Sequence, residues 1–192
     1  MKQIHWFPGH MKKAQNDIAD KLKIVDLCIE LLDARIPLSS RNPVLYEMSK
    51  NKARLVVLTK NDLADPVVTK NWIEHFKSVG FEAIFADLSK EKDVKNIIKT
   101  AEKMSESKNQ KYIAKGMKPQ PIRAMIIGIP NVGKSTLINK IANRKAASVE
   151  NKPGHTRAQQ WIKVSDKFQL LDTPGVLPSN YDDKMTAVNL AF

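Results

Sequence analysis

Gly128-Ile-Pro-Asn-Val-Gly-Lys-Ser135 decides the reading of this chain. The octapeptide fits G-x-x-x-x-G-K-[S/T], a loop whose backbone wraps the phosphates of a nucleotide. Gly128 and Gly133 let the chain turn without a Cβ in the way, so successive N–H groups can point inward at an anion. In such a loop Lys134 bridges the outer phosphates and the Ser135 hydroxyl can take Mg²⁺. Asn131, Val132, Gly133 and Thr136 complete the expected nucleotide contacts. The helix that follows turns its positive end on the same charge.

The flanks suit the loop. Ala124-Met-Ile-Ile127 is a short apolar run, as a buried parallel strand requires, and Thr136-Leu-Ile-Asn-Lys-Ile141 has helical apolar spacing. Strand, loop and helix come in the required order.

Two more segments answer to this loop. Phe168-Gln-Leu-Leu-Asp172 runs into Thr173-Pro-Gly175, a D-x-x-G that begins 37 residues after Ser135. The Asp172 carboxylate can hold Mg²⁺ through water, and the Gly175 N–H can reach a terminal phosphate. Upstream, Arg54-Leu-Val-Val-Leu58 runs into Thr59-Lys60-Asn61-Asp62. This is the N-K-x-D pattern of guanine readers with Thr59 in place of Asn. The two oxygens of Asp62 can accept from guanine N1–H and the 2-amino group. Adenine offers neither donor, so the same carboxylate rejects it. The stem of Lys60 can lie against the base.

The order of these parts is unusual: the guanine motif at 59–62 precedes the phosphate loop at 128–135, and the D-x-x-G comes last. A circular permutation brings such parts together while each strand–helix unit keeps its place in the sheet. In this order and in its markers the chain resembles the circularly permuted GTPases of ribosome assembly, and among them the ribosome biogenesis GTPase A family. The markers are Trp6-Phe-Pro-Gly-His10-Met, Asp33-Ala-Arg35-Ile-Pro37, Thr59-Lys60-Asn61-Asp62, the phosphate loop, Pro153-Gly-His-Thr156 and Asp172-Thr-Pro-Gly175. The resemblance runs over essentially all 192 residues. It implies a GTP-hydrolysing switch that assists late assembly of the large ribosomal subunit, with rRNA and ribosomal proteins as partners. The expected cofactors are GTP or GDP with Mg²⁺. The alternative is a guanine-nucleotide sensor on RNA or the ribosome, with incidental hydrolysis.

Hydrolysis needs a group that orients the attacking water. Many GTPases use a Gln after the D-x-x-G, but Val176 stands there. The resemblance assigns the role to His10, whose imidazole can orient water or take a proton near neutral pH. His155 is the rival. Thr156 is the candidate switch residue, reaching Mg²⁺ only when a terminal phosphate is present. In related GTPases an Asn at the position of Asn131 helps to hold K⁺ against the phosphates, a charge that can stand in for an arginine finger. Arg144 and Arg157 are the candidate fingers of this chain. Asp87, Leu88 and Ser89 fall where a second guanine loop belongs, by position only.

Composition agrees. The net charge is +12, and 99–123 and 139–167 each carry seven Lys/Arg against two acids. Basic surface beside a nucleotide switch suits RNA phosphates. The chain has no apolar run of membrane-spanning length and no recognisable signal peptide. The single cysteine, Cys28, leaves no internal disulfide partner and suits a reducing cytoplasm. The expected fold is α/β: a three-layer, permuted P-loop GTPase with a mainly parallel sheet covered on both faces. The periodicity places helices at 10–22, 43–50, 67–79 and from 94 to about 104. Strands are expected at 25–32, 54–58, 82–86, 124–127, 159–164 and 168–171. The whole chain is read as one monomeric GTPase domain, 1–192, with an N-terminal arm and helix at 1–22 and a basic linker at 105–121. The helical, RNA-contacting C-terminal domain usual in the family is expected to lie beyond Phe192.

Overall fold

Residues 8–146 and 161–171 are described by a computed structural model of the chain; for 8–15, 105, 107, 108 and 143–146 this extends to the backbone only. The described elements are α1 (Pro8–Ile24), β1 (Leu27–Asp33), α2 (Pro43–Met48), β2 (Ala53–Thr59), α3 (Pro66–Ser78), β3 (Glu82–Ala86), α4 (Glu91–Ala114), β4 (Ile122–Ile127), α5 (Lys134–Ala146), β5 (Trp161–Lys163) and β6 (Phe168–Leu171), with a 3₁₀ turn at Asn61–Leu63. The strands form one sheet in the order β3-β2-β1-β4-β6-β5. Every neighbouring pair is parallel except β5 with β6.

Side-chain alternation along the buried strands builds three layers. Leu27, Ile29 and Leu31 of β1 pack with Leu55, Val57, Ala124, Ile126 and the apolar faces of α4 and α5, through Val94, Ile97, Leu137 and Ile141. Cys28 and Leu32 face the other way, toward Ile18 and Leu22 of α1 and Phe76 of α3. Cys28 is fully buried, and burial pushes its thiol up to about 12, so it is inert at neutral pH.

Local chemistry sets the helix starts. Asn42 caps α2 and Asp65 caps α3, each accepting two backbone N–H groups, and each is followed by Pro at the first helical position. One expectation needs correction. The stretch 105–121 is not a linker throughout, because α4 runs on to Ala114 and only 115–121 separates it from β4. Nothing between 105 and 114 breaks a helix: the segment has no Gly or Pro, and Glu106, Lys108, Gln110, Lys111 and Ala114 all favour one. Gly116, at φ 70°, follows the helix and turns the chain.

A charged cluster ties the second layer together. Glu30, 3% exposed in its side chain, pairs with Arg54 at 3.0 Å and with Arg41 at 3.0 Å. Arg54 also donates to the Ser49 hydroxyl and the Tyr46 carbonyl, and both guanidinium groups lie over the Tyr46 ring. This joins β1 and β2 to α2 and to the loop that precedes it.

Candidate nucleotide site

The chain winds outward from β1 through β2 to β3, then crosses back to β4 on the other side of β1. Ligands of open parallel sheets sit at such a reversal, outside the carboxyl ends of the strands. A cavity of about 240 Å³ opens there. Three loops wall it: Thr59, Lys60 and Asp62 after β2; Asp87, Leu88 and Ser89 after β3; Asn131, Val132 and Gly133 between β4 and α5, with Thr136 in the first turn of α5.

The phosphate loop is shaped by its glycines. Gly128 has φ 152°, and a Cβ on it would lie 2.8 Å from the Leu31 carbonyl oxygen, a backbone atom with no room to give. Gly133 has φ 105°, and a Cβ there would lie 2.7 Å from Leu88 Cδ1. Asn131 adopts φ 61°, left-handed backbone that Asn tolerates better than most residues. Lys134 is 7% exposed, and its ammonium donates to the Ile129 carbonyl inside the loop. Burial pushes it down to about 8. An anion in the loop would favour the charged form and oppose that shift. Ser135 and Thr136 are exposed in the first turn of α5.

The loop after β2 is braced against the phosphate loop. The Thr59 hydroxyl, buried, lies 2.8 Å from the Val132 carbonyl and 3.1 Å from that of Leu32. Thr59 therefore ties this loop to the phosphate loop through its own short side chain. Lys60 follows at φ 56°, turning the chain into the 3₁₀ helix that carries Asp62 to the cavity wall, where it is exposed. Asn61 is half-buried, and its Oδ1 is buried without a hydrogen-bond partner.

The loop after β3 is held by its own polar groups. Asp87 accepts from Ser89 N–H at 2.8 Å and pairs with Lys90 at 3.1 Å, while its own N–H donates to Asp93. The Ser89 hydrogen bonds and the Lys90 ammonium hold the Asp87 carboxyl at about 2. Lys140 of α5 donates to the Ser89 carbonyl at 2.8 Å, so the helix that starts at the phosphate loop also supports this one.

Sequence reasoning missed the Thr59–Val132 bond, the Lys140 tether, and a cluster of Asp33, Arg35 and Lys60. Only the last carried a signal, in Asp33-Ala-Arg35-Ile-Pro37. The backbone of His10 lies in the first turn of α1, but its side chain is not among those described. Thr156, Asp172 and Gly175 lie outside the described residues, as do the rival His155 and Arg157 and the side chain of Arg144.

Residues 123–191 match a protein-family model described as 50S ribosome-binding GTPase. The ribosome biogenesis GTPase A of Bacillus cereus is 50% identical over 98% of this chain and 64% of its own length. That of Bacillus pumilus is 46% identical over 98% of this chain and 67% of its own length. The crystal structure of GNP-bound YlqF from T. maritima aligns with a TM-score of 0.67 at 30% identity, over 93% of this chain and 64% of that one. The chain thus spans just under two thirds of the length of the first of these relatives.

Proposed function

Because the chain belongs to the ribosome biogenesis GTPase A family, we propose that it binds GTP and GDP in the cavity between the three loops, hydrolyses GTP, and acts on the assembling large ribosomal subunit. The observation that carries this reading is the meeting of residues from 59–62, 87–89 and 131–136 around one cavity. The permuted order along the chain does not keep them apart.

Each residue has a role that suits its place. Asp62, exposed on the wall, accepts from guanine N1–H and the 2-amino group. Thr59 fixes the base loop to the phosphate loop, Lys60 lays its stem along the base, and Leu88 and Ser89 line the same cavity. Lys134 exchanges the Ile129 carbonyl for phosphate oxygens. Ser135 stands at the start of α5, where a hydroxyl can serve a phosphate-bound cation; with Thr156 and Asp172 it is the proposed holder of Mg²⁺, which neutralises phosphate charge when bound. Asn131 is the proposed K⁺ ligand, and Gly175 the proposed donor to the terminal phosphate. His10 is the proposed water-positioning residue. The single GTPase domain over 1–192 belongs to the same reading.

The partner reading rests on charge. Lys92, Lys99 and Lys103 recur at helical spacing on the side of α4 away from Val94, Ile97 and Ala101, and all three are exposed. A row of this kind can follow an RNA backbone. Among the described residues no helix is long and apolar enough to cross a membrane.

The base assignment is tested by GDP and ADP binding to the chain and its Asp62→Ala variant. The expected result is a guanine preference that falls by roughly tenfold or more in the variant, the cost of one charged hydrogen-bond pair. A preference that survives unchanged removes Asp62 from base recognition. Hydrolysis at equal ionic strength is expected to run faster in KCl than in NaCl; equal rates would rule out a K⁺ requirement.

A further inference from the structure

The loop after β1 has no part in the chemistry above, yet it grips the base loop. Register places Asp33 opposite Thr59, and the ladder runs on one step further, with Ala34 N–H donating to the Thr59 carbonyl at 2.9 Å. The next residue on the β2 side is Lys60. Its ammonium lies 3.0 Å from Asp33 Oδ2. Arg35 doubles back onto the same carboxylate, donating its backbone N–H at 3.0 Å and Nε at 2.9 Å to Oδ1, and Nη2 at 2.7 Å to Oδ2. Four donors therefore converge on a residue that is 4% exposed.

The loop is built to hold this arrangement. Ser40 accepts the Asp33 N–H at 3.0 Å and donates to the Pro37 carbonyl, closing 33–40 on itself. Arg41, next along, is anchored to Glu30. Burial opposes the charge on Asp33, but the hydrogen bonds from Arg35 and Lys60 outweigh it and hold the carboxyl at about 2, so it is ionised at any working pH.

Two cations thus stand beside the base loop, and Asp33 occupies both. Asp62 lies two residues beyond Lys60, in the 3₁₀ turn that Lys60 leads into, and its charge reaches both Arg35 and Lys90. If Asp33 were neutral, Asp62 would be the nearby carboxylate left to attract Lys60 and Arg35. An Asp62 engaged that way has lost acceptor capacity for guanine. The geometry points to Asp33 as a positioning residue for base recognition: it holds Lys60 and Arg35 away from Asp62, which leaves that carboxylate free for guanine N1–H and the 2-amino group. This rests on the guanine reading of the site and names the device that protects its specificity.

The experiment is a double-mutant cycle on the chain, with Asp33→Asn, Lys60→Met and the pair. Binding of GDP and of inosine diphosphate, which lacks the 2-amino group, is measured for each. Circular dichroism and thermal melting accompany every variant. The expected result is a folded Asp33→Asn whose preference for GDP over inosine diphosphate shrinks by roughly tenfold. Lys60→Met is then expected to recover part of that preference in the pair, because it removes one of the released cations. A purely structural role would weaken both ligands alike and leave the ratio untouched, and that outcome overturns the inference. So would single effects that simply add. A wild-type chain with no preference for GDP over inosine diphosphate would overturn the guanine reading and this inference together. A wild-type preference that Asp33→Asn retains would overturn this inference alone. If Asp33→Asn does not fold, Asp33→Glu carries the test. It keeps the charge with a longer reach and is expected to retain the preference that Asp33→Ser loses; equal ratios in the two overturn the proposal.

Discussion

Lys134 is the residue where burial and function meet most directly. Its ammonium is enclosed by the phosphate loop and pushed down to about 8. Phosphate favours the charged form, so binding should draw in a proton. At pH 8 the free chain holds about half a proton on Lys134 and the complex holds nearly a full one, an uptake of about half a proton. Calorimetry of GDP binding in buffers of different ionisation heat reads this number; no uptake would mean that the lysine does not meet the phosphates. The sign for stability is opposite. Because the folded value is lowered, the unfolded chain binds more protons between about pH 8 and 10.5, and the ligand-free chain gains stability as pH rises through that window. Gly128 offers a second test. Gly128→Ala forces a Cβ against the Leu31 carbonyl and is expected to lower stability by about 1–3 kcal/mol in urea unfolding, the usual cost of a strained backbone position. The sequence announces Lys134 and Gly128, because a phosphate loop is a local pattern. It announces Thr59 only as a departure from Asn. That this hydroxyl reaches Val132 depends on residues 73 apart in the chain, which no local pattern records.

At the scale of elements, most of the sheet and helices is legible in the sequence. Strands such as Ala53–Thr59 carry a continuous apolar run, Leu55 to Leu58, buried on both faces, and α3 carries its cap and proline in plain view. Helix α4 is longer than its periodicity predicts, since its apolar face ends near Met104 while a stretch free of Gly and Pro continues to Ala114. Apolar periodicity marks where a helix is packed; it does not mark where an exposed helix stops. The Glu30–Arg54–Arg41 cluster is not legible at all, because its members come from separate segments that only the fold brings together. Its removal should be costly. Glu30→Ala leaves Arg54, 1% exposed in its side chain, without a counter-charge, and about 3–5 kcal/mol of stability should be lost in urea unfolding. A loss below about 1 kcal/mol would mean that the cluster is a dispensable surface pair. For α4, reversing Lys99 and Lys103 to Glu should weaken association with ribosomal RNA and flatten its salt dependence, by about 0.7–0.9 in log–log slope for each phosphate no longer neutralised. An unchanged slope would place the RNA-binding surface elsewhere.

For the whole molecule the permutation is the organising fact. Strand β4, which leads into the phosphate loop, sits beside β1, and the guanine-type loop precedes the phosphate loop in the chain while lining the same cavity and bonding to it through Thr59. Fold class can be inferred from the sequence because each strand–loop–helix unit keeps its own signature wherever the chain is opened. The proposed contributions of His10, Thr156, Asp172 and Gly175 are a different matter: they rest on family pattern, and their placement falls outside the described side chains. His10→Ala is expected to slow GTP hydrolysis by about 10²–10⁴-fold, the usual contribution of a positioned acid–base group, with GDP affinity unchanged. The central claim is that this chain carries the nucleotide-hydrolysing switch of a large-subunit assembly factor. It is tested most directly by GTP turnover in KCl buffer, with and without large ribosomal subunits, for this chain and for a version extended to the full length of its relatives. The account predicts slow turnover alone and strong acceleration of the extended protein by the subunits. Intact GTP binding with no acceleration of either protein would contradict it.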